Sequence, residues 1–317
     1  VTSLVGRQVA VRVPATSANL GPGFDTLGLA LALYDELVVT AIESGVEIVV
    51  SGVGAGEVPT DDSHLVVRSI RHTFDRVGVP MPGIRLEAIN AIPHGRGLGS
   101  SGAAIVAGVM AATGLLEGTV DITSDDILTF STELEGHPDN VAPAIFGGLT
   151  IAWVTADGPR AKKLIVHRGV SPVVFVPVQT MSTALARSLQ PESVPHADAV
   201  FNVSRSALLV AALTQSPELL LEATEDRLHQ DYRKSAMPQT AELIRVLREH
   251  GHAAVVSGAG PSILVLASDP SQRLAAAALV AEHATEPWEP LMLAVDFKGA
   301  TVVPHEVADT APPSLPR

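Results

Sequence analysis

Residues 93–103 read Pro-His-Gly-Arg-Gly-Leu-Gly-Ser-Ser-Gly-Ala, a glycine-rich bend leading into the small apolar residues of 103–116. Such a bend at the mouth of a helix suits phosphate. Glycine lets the backbone come close, the first N–H groups of a helix lack an intrahelical partner, and the helix dipole adds positive potential there. Ser100 and Ser101 are placed either to cap that helix or to turn a hydroxyl toward a phosphate or its metal. The plainer alternative is a tight strand-to-helix turn with a serine cap. No Gly-Lys-Ser/Thr follows, so this is not a Walker A loop. Three further stretches gather polar groups. Asn19 and Asp25, six positions apart in a turn-rich loop, offer an amide and a carboxylate to a ligand, or else satisfy their own turn. Glu133, Glu135, His137, Asp139 and Asn140 fall within eight residues, either as a site or as a polar loop in which Gly136 stops a helix. Residues 257–262 form a second glycine turn between apolar runs, which either brings backbone N–H groups to a ligand or closes a hairpin or bulge.

Periodicity supplies the elements that must position these groups. Residues 83–89 alternate as a strand that feeds the glycine bend, and 103–116 read as a helix. Val9, Val11 and Val13 mark a first strand ended by Pro14. Residues 37–42 and 46–53 resemble paired strands with a turn at 43–45. Asp61-Asp62-Ser63-His64 starts a helix whose apolar face continues at Ile70 and Phe74, so His64 reads as a helix-start residue and His72 as exposed. Thr123-Ser124-Asp125-Asp126 looks like the capped start of another helix, through Leu134. A strand at 147–154 and a hydrophilic turn at 155–163 follow. Beyond them lie a buried-type strand at 173–178 and a helix opening at Ser182-Thr183, with Arg187 one turn after Thr183 on the same face. Helices are expected at 205–213, 218–227, 240–249 and 273–283, a strand at 291–297, and a frayed tail after Pro304.

At 317 residues the chain exceeds the size at which one core usually keeps growing, so two lobes are expected. With 46% hydrophobic and 17% charged residues it is an ordinary soluble globular sequence. A formal charge of −13 argues against nucleic acid or an anionic membrane as the main partner and leaves a small molecule. The absence of cysteine removes disulfides and thiolate metal sites. Residues 97–116 carry no charge and are long enough to span a bilayer, yet they include five glycines, two serines and a threonine, which favours a buried helix. No apolar signal core occurs in residues 1–13, and a cytoplasmic enzyme is the expectation.

Three ordered motifs carry a family resemblance across residues 9–295. They are Ser17-Ala18-Asn19-Leu20-Gly21-Pro22-Gly23-Phe24-Asp25, then Pro93-x-x-x-Gly97-Leu98-Gly99-Ser100-Ser101, then Ser257-Gly258-Ala259-Gly260-Pro261-Ser262. Together they resemble the GHMP small-molecule kinases. With residues 137–148, His-Pro-Asp-Asn-Val-Ala-Pro-Ala-Ile-Phe-Gly-Gly, the details are similar to the homoserine kinase branch of that superfamily. The resemblance implies a two-lobed α/β (α+β) fold, with a ribosomal-protein-S5-like N-terminal ATP-binding lobe over 1–165 and a ferredoxin-like C-terminal lobe over 166–303. Residues 304–317 are then the flexible tail. It implies ATP and Mg2+ as cofactors, L-homoserine as the acceptor, and a homodimer as an assembly open to the chain. Another GHMP kinase acting on mevalonate, galactose or a related alcohol is the alternative within enzymes. A non-catalytic ligand sensor on the same scaffold is the alternative outside them.

On that resemblance the phosphate loop comprises Pro93, Gly95, Arg96, Gly97, Leu98, Gly99, Ser100 and Ser101. Ser101 would hold magnesium with a glutamate, Glu135 or Glu133. Asn19, Asp25, His137, Asp139 and Asn140 would surround the acceptor, with Thr183, Arg187, Arg233 and Gly260 closing from the second lobe. This inventory suits an amino acid, since an ammonium seeks carboxylates and a carboxylate seeks an arginine fork. Asn140, Arg187 and Asp139 are the candidate catalytic residues. Phosphoryl transfer needs positioning and charge neutralisation more than a strong base. An aspartate paired with the substrate ammonium is a poor base, which favours attack aligned by Asn140. Two departures from the family pattern stand out: Gly102 where alanine is common, and His64 where asparagine is frequent near the nucleotide base.

Overall fold

The computed structural model describes residues 3–304. In chain order the first part runs β1 (Gln8–Ala18), β2 (Leu27–Ile42), β3 (Val46–Gly52), α1 (Leu65–Val77), β4 (Gly83–Asn90), α2 (Ser100–Leu115), α3 (Ser124–Glu135), α4 (Pro138–Phe146), β5 (Leu149–Thr155) and β6 (Gly158–Leu164). It continues with β7 (Ser171–Pro177), α5 (Thr183–Ser188), α6 (His196–Thr214), α7 (Leu220–Ala223), α8 (Gln230–Arg233), α9 (Pro238–Glu249), β8 (Ala254–Val256), β9 (Ile263–Ala267), α10 (Pro270–His283), β10 (Trp288–Leu291) and β11 (Thr301–Pro304). The result is a mixed α/β architecture with two sheets. The larger has the path β11-β1-β2-β4-β3, with β5 on β2 and β6 on β5; the smaller has the order β10-β7-β9-β8. β6 is the last strand of the larger sheet before β7 opens the smaller one, and β11 returns to the larger sheet to pair with β1.

The central helix α2 packs against α1, α3, α4 and β1. Its small apolar residues are buried on most sides, so the uncharged stretch 97–116 is a core helix. Around it Phe74, Ile70, Ile84, Leu86 and Ile105 are almost wholly buried, each side chain contributing roughly 1.5–3 kcal/mol relative to exposure. Local signals fix the ends of the helices about this core. His64 Nδ1 accepts from Val66 N–H at the start of α1, and Thr123 and Asp126 form a reciprocal capping box at the start of α3. His72 is not free, because it meets Glu133 at 2.8 Å and lies edge-on to Phe130.

Several boundaries differ from expectation for physical reasons. β1 continues through Pro14 to Ala18, with a register shift between Pro14 and Ala15 that accommodates the missing N–H. β2 and β3 turn at Gly45 but do not pair. β4 enters between them, antiparallel to β2 and parallel to β3. The alternating Ile84, Leu86 and Ala88 of β4 are buried, whereas the side chains of β3 are at most half-buried, so burial gives the inner position to β4. The stretch 155–163 is not a turn: it supplies β6, which pairs along β5 and faces water enough to lose apolar alternation. Residues 218–227 yield a 3-10 turn at Pro217–Leu219 and the short α7, and Asn202 and Asp226 side chains capture the N–H groups of residues 227–230. α6 begins at His196 rather than 205, and β10 meets the expected strand at 291–297 only at Leu291, while Val295 forms a single bridge to Leu31. The expected tail after Pro304 lies outside the described residues.

Candidate active site

The glycine loop joins β4 to α2, and its left-handed turns explain its composition. Gly97 and Gly99 have φ of +73° and +70°. A Cβ on Gly97 would lie 2.1 Å from Ser257 O, and one on Gly99 would lie 2.0 Å from Thr16 Oγ1. Only glycine fits either place. Gly99 is the N-cap of α2 and no side chain caps that end, so Ser100 and Ser101 keep their hydroxyls for other partners. The first N–H used by the helix is that of Ala103, donating to Gly99 O at 2.8 Å, which leaves those of Ser100, Ser101 and Gly102 at the open end. Ser101 Oγ donates to Glu135 Oε2 at 3.0 Å.

Beside this end a cavity of about 160 Å3 is lined by Asn19, Asp25, Glu135, Asp139 and Asn140 from the first half of the chain. Thr183, Arg187 and Arg233 line it from the second half, and Gly95, Gly97, Gly99, Ser100 and Ser101 from the loop. The structure therefore gathers most of the residues singled out from the sequence. It places others elsewhere. Glu133 is turned to Arg76 and His72, because two residues along a helix reverse the face and Glu135 has the inner one. Arg96 donates to the carbonyls of Pro177, His94 and Val178 and so fastens the loop to the end of β7. Leu98 is buried in the core. Pro93, His137 and Gly260 do not line the cavity; His137 is the N-cap of α4, and Gly260 N donates to Ser257 O behind the loop. Met181, Ser182, Ala186, Gly258 and Ala259 also line the cavity. The glycine turn pointed to Gly258 and Ala259, and the cap before Thr183 to Ser182, while nothing in the sequence marked Met181 or Ala186.

Strain and charge concentrate here. Asn19, Leu20 and Asp25 adopt positive φ, a cost tolerated where surroundings over-determine the backbone. Asn19 Oδ1 accepts from Asp25 N–H at 3.0 Å, and Asn19 Nδ2 donates to Gly258 O at 2.9 Å. Arg187 forks onto Asp25 at 3.2 and 3.4 Å. Thr16 Oγ1 donates to Asn140 Oδ1 at 3.2 Å. Burial pushes the Asp139 carboxyl up to about 6, with Asp25 adding to the effect and His137 and Arg187 opposing it. Its Oδ1 is buried without a hydrogen-bond partner among the described residues. Burial likewise raises Glu135, against the Ser101 hydrogen bond, and lowers Arg233, against the charge of Asp25. Three carboxylates against two guanidiniums leave room for added positive charge. Among the described residues no cluster of three or more His, Cys, Asp or Glu is placed to hold a metal. The oxygens of Ser101 and Glu135 do fit magnesium, provided phosphate and water complete its shell.

A second cavity, of about 210 Å3, shares Ser100 and Ser101 with the first and extends past Ala103, Ala104 and Ala107 to His64, Asp35 and His94. A planar, mostly apolar group suits it. A larger cavity of about 600 Å3 lies on α7, α8 and α9. Its cations Arg227, Lys234 and Arg245 are paired with carboxylates, and Arg248 donates to Thr224 Oγ1 and to the carbonyls of Leu221 and Ala254.

Residues 64–148 match the family of GHMP kinases N terminal domain, and residues 207–285 match GHMP kinases C terminal. A homoserine kinase of Clavibacter michiganensis is 74% identical over 298 residues, covering 94% of each chain. One of Leifsonia xyli is 73% identical over 300 residues, covering 94% of this chain and 93% of the relative. The crystal structure of homoserine kinase from Cytophaga hutchinsonii superposes with a TM-score of 0.83 at 28% identity, covering 94% of this chain and 98% of that one.

Proposed function

The chain belongs to the GHMP kinase family, on its homoserine kinase branch, and from that premise we propose how its site works. The reaction is ATP-dependent phosphorylation of the side-chain hydroxyl of L-homoserine, giving O-phospho-L-homoserine on the route to threonine. The observation that carries the site assignment is the buried, unpartnered oxygen of Asp139 beside the Asp25–Arg187 fork, all facing the open end of α2.

The N–H groups of Ser100, Ser101 and Gly102 hold the phosphates of ATP, and its base enters the cavity beside His64. Asp139 and Asp25 receive the ammonium of the acceptor, while Arg187 and Arg233 receive its carboxylate. Arg187 must then trade part of its fork on Asp25 for the substrate. Asn140, fixed by Thr16, aligns the hydroxyl for in-line attack. Ser101 and Glu135 would hold Mg2+, which when bound neutralises phosphate charge. Ammonium binding lowers the Asp139 pKa again, so the hydroxyl proton leaves through phosphate or solvent. If Asp25→Asn and Asp139→Asn both abolished turnover with homoserine affinity intact, this base-free route would fall.

The test is ADP release with ATP, magnesium and L-homoserine, mevalonate or galactose as acceptor, repeated with Ser101→Ala. Turnover is expected with L-homoserine alone, falling about 100-fold or more in the variant. Faster turnover of another alcohol overturns the acceptor assignment. Homoserine binding without ADP release identifies a sensor instead. A cytoplasmic location and a homodimer go with this reading, the latter checked by light scattering.

A further inference from the structure

His229 is wholly buried at the start of α8 and takes no part in the chemistry above. Its Nε2 lies 2.7 Å from Gly21 O, in the loop that carries Asn19 and Asp25. A carbonyl can only accept, so Nε2 carries the hydrogen. Nδ1 is buried with no partner among the described residues, and burial depresses the ring's pKa against the charge of Asp226, whose Oδ2 lies 3.7 Å from Nε2. Its flat face stacks on Phe24 with centroids 4.9 Å apart. Arg233, one turn further on, lies 5.5 Å from the same phenyl ring. The backbone that presents His229 is itself fixed, since Asp226 accepts from the N–H groups of Leu228, His229 and Gln230. The loop is gripped again next door, where Pro22 O accepts from Asn202 and Ser206.

We propose that His229 is a positioning residue for the acceptor: through Gly21 O and Phe24 it ties the Asp25 loop to α8 and so sets the spacing of Asp25 and Arg233 across the cavity. This rests on the acceptor site assigned above. Two substitutions separate its parts. His229→Phe keeps a flat ring and removes the donor, whereas the amide nitrogen of His229→Gln reaches where Nε2 stands.

The expected result is a KM for L-homoserine raised about tenfold in His229→Phe, with the KM for ATP within about twofold, and a return to within about threefold of the parent in His229→Gln. Equal homoserine KM in the parent and the Phe variant overturns the proposal. So does a Gln variant as impaired as Phe while its thermal midpoint matches the parent. If His229→Phe does not fold, nitrogen NMR of the histidine-labelled parent decides: a hydrogen on Nε2 is required, and a ring protonated on Nδ1 alone overturns it. Asp25→Asn and Arg233→Lys run in parallel. Should both leave the homoserine KM unchanged, the acceptor site itself is misassigned; should they raise it while His229→Phe does not, only the role of His229 fails.

Discussion

Asp139 shows what a single carboxyl contributes when it is held almost out of water. Because burial raises its folded pKa from 3.8 to about 6, the folded protein binds the proton more tightly than the unfolded chain between those values. Stability from this group is therefore greatest below the unfolded pKa and is lost as pH rises through about 6, by roughly 3 kcal/mol at neutral pH. Asp139→Asn is expected to melt at a higher temperature than the parent at pH 8. That advantage should shrink as pH falls to 5, which thermal melts across the range would check. In the same window the parent's kcat/KM for homoserine should decline below about pH 6, since the protonated carboxyl no longer attracts an ammonium. A melting advantage independent of pH would mean that Asp139 is not strained by its charge.

At the scale of elements, the two ends of α3 divide stability from chemistry. Thr123 and Asp126 close its start, and Glu135 at its finish meets Ser101. Thr123→Ala is expected to cost about 1 kcal/mol in denaturant melts and to leave kcat unchanged. Gly99→Ala should impair fold and site together, because a methyl group there, at positive φ, meets Thr16 Oγ1; melts should show destabilisation and steady-state kinetics a loss of about 100-fold or more in kcat/KM for ATP. These features were legible in the sequence because capping and glycine turns are encoded within a few neighbouring residues. The partners of β2 and β3 were not, because the inner position goes to the strand with a fully buried face. That is set by β4, some forty residues later. The choice between Glu133 and Glu135 was open for a similar reason: both lie on one helix, and only the placement of Arg76 and His72 across from Glu133 distinguishes them.

Across the whole molecule, the site is assembled from segments hundreds of residues apart, and the seam between them is made of small polar groups. Ser257 Oγ donates to Gly97 O at 2.7 Å and accepts from Ser17 Oγ at 2.9 Å, so one hydroxyl joins the phosphate loop to the strand before the acceptor loop. Ser257→Ala leaves a buried carbonyl and a buried hydroxyl without this partner. It is expected to destabilise the fold by about 1–3 kcal/mol and to lower kcat/KM for both substrates, as melts and kinetics on one preparation would show. The return of the chain to its first sheet carries a different lesson. β1 gains its outer neighbour only when β11 arrives, so during synthesis its edge must wait, unpaired, until nearly every described residue has left the ribosome. Until then a sticky strand border is open to other nascent chains, and yield in the cell should depend on how well chaperones guard that interval.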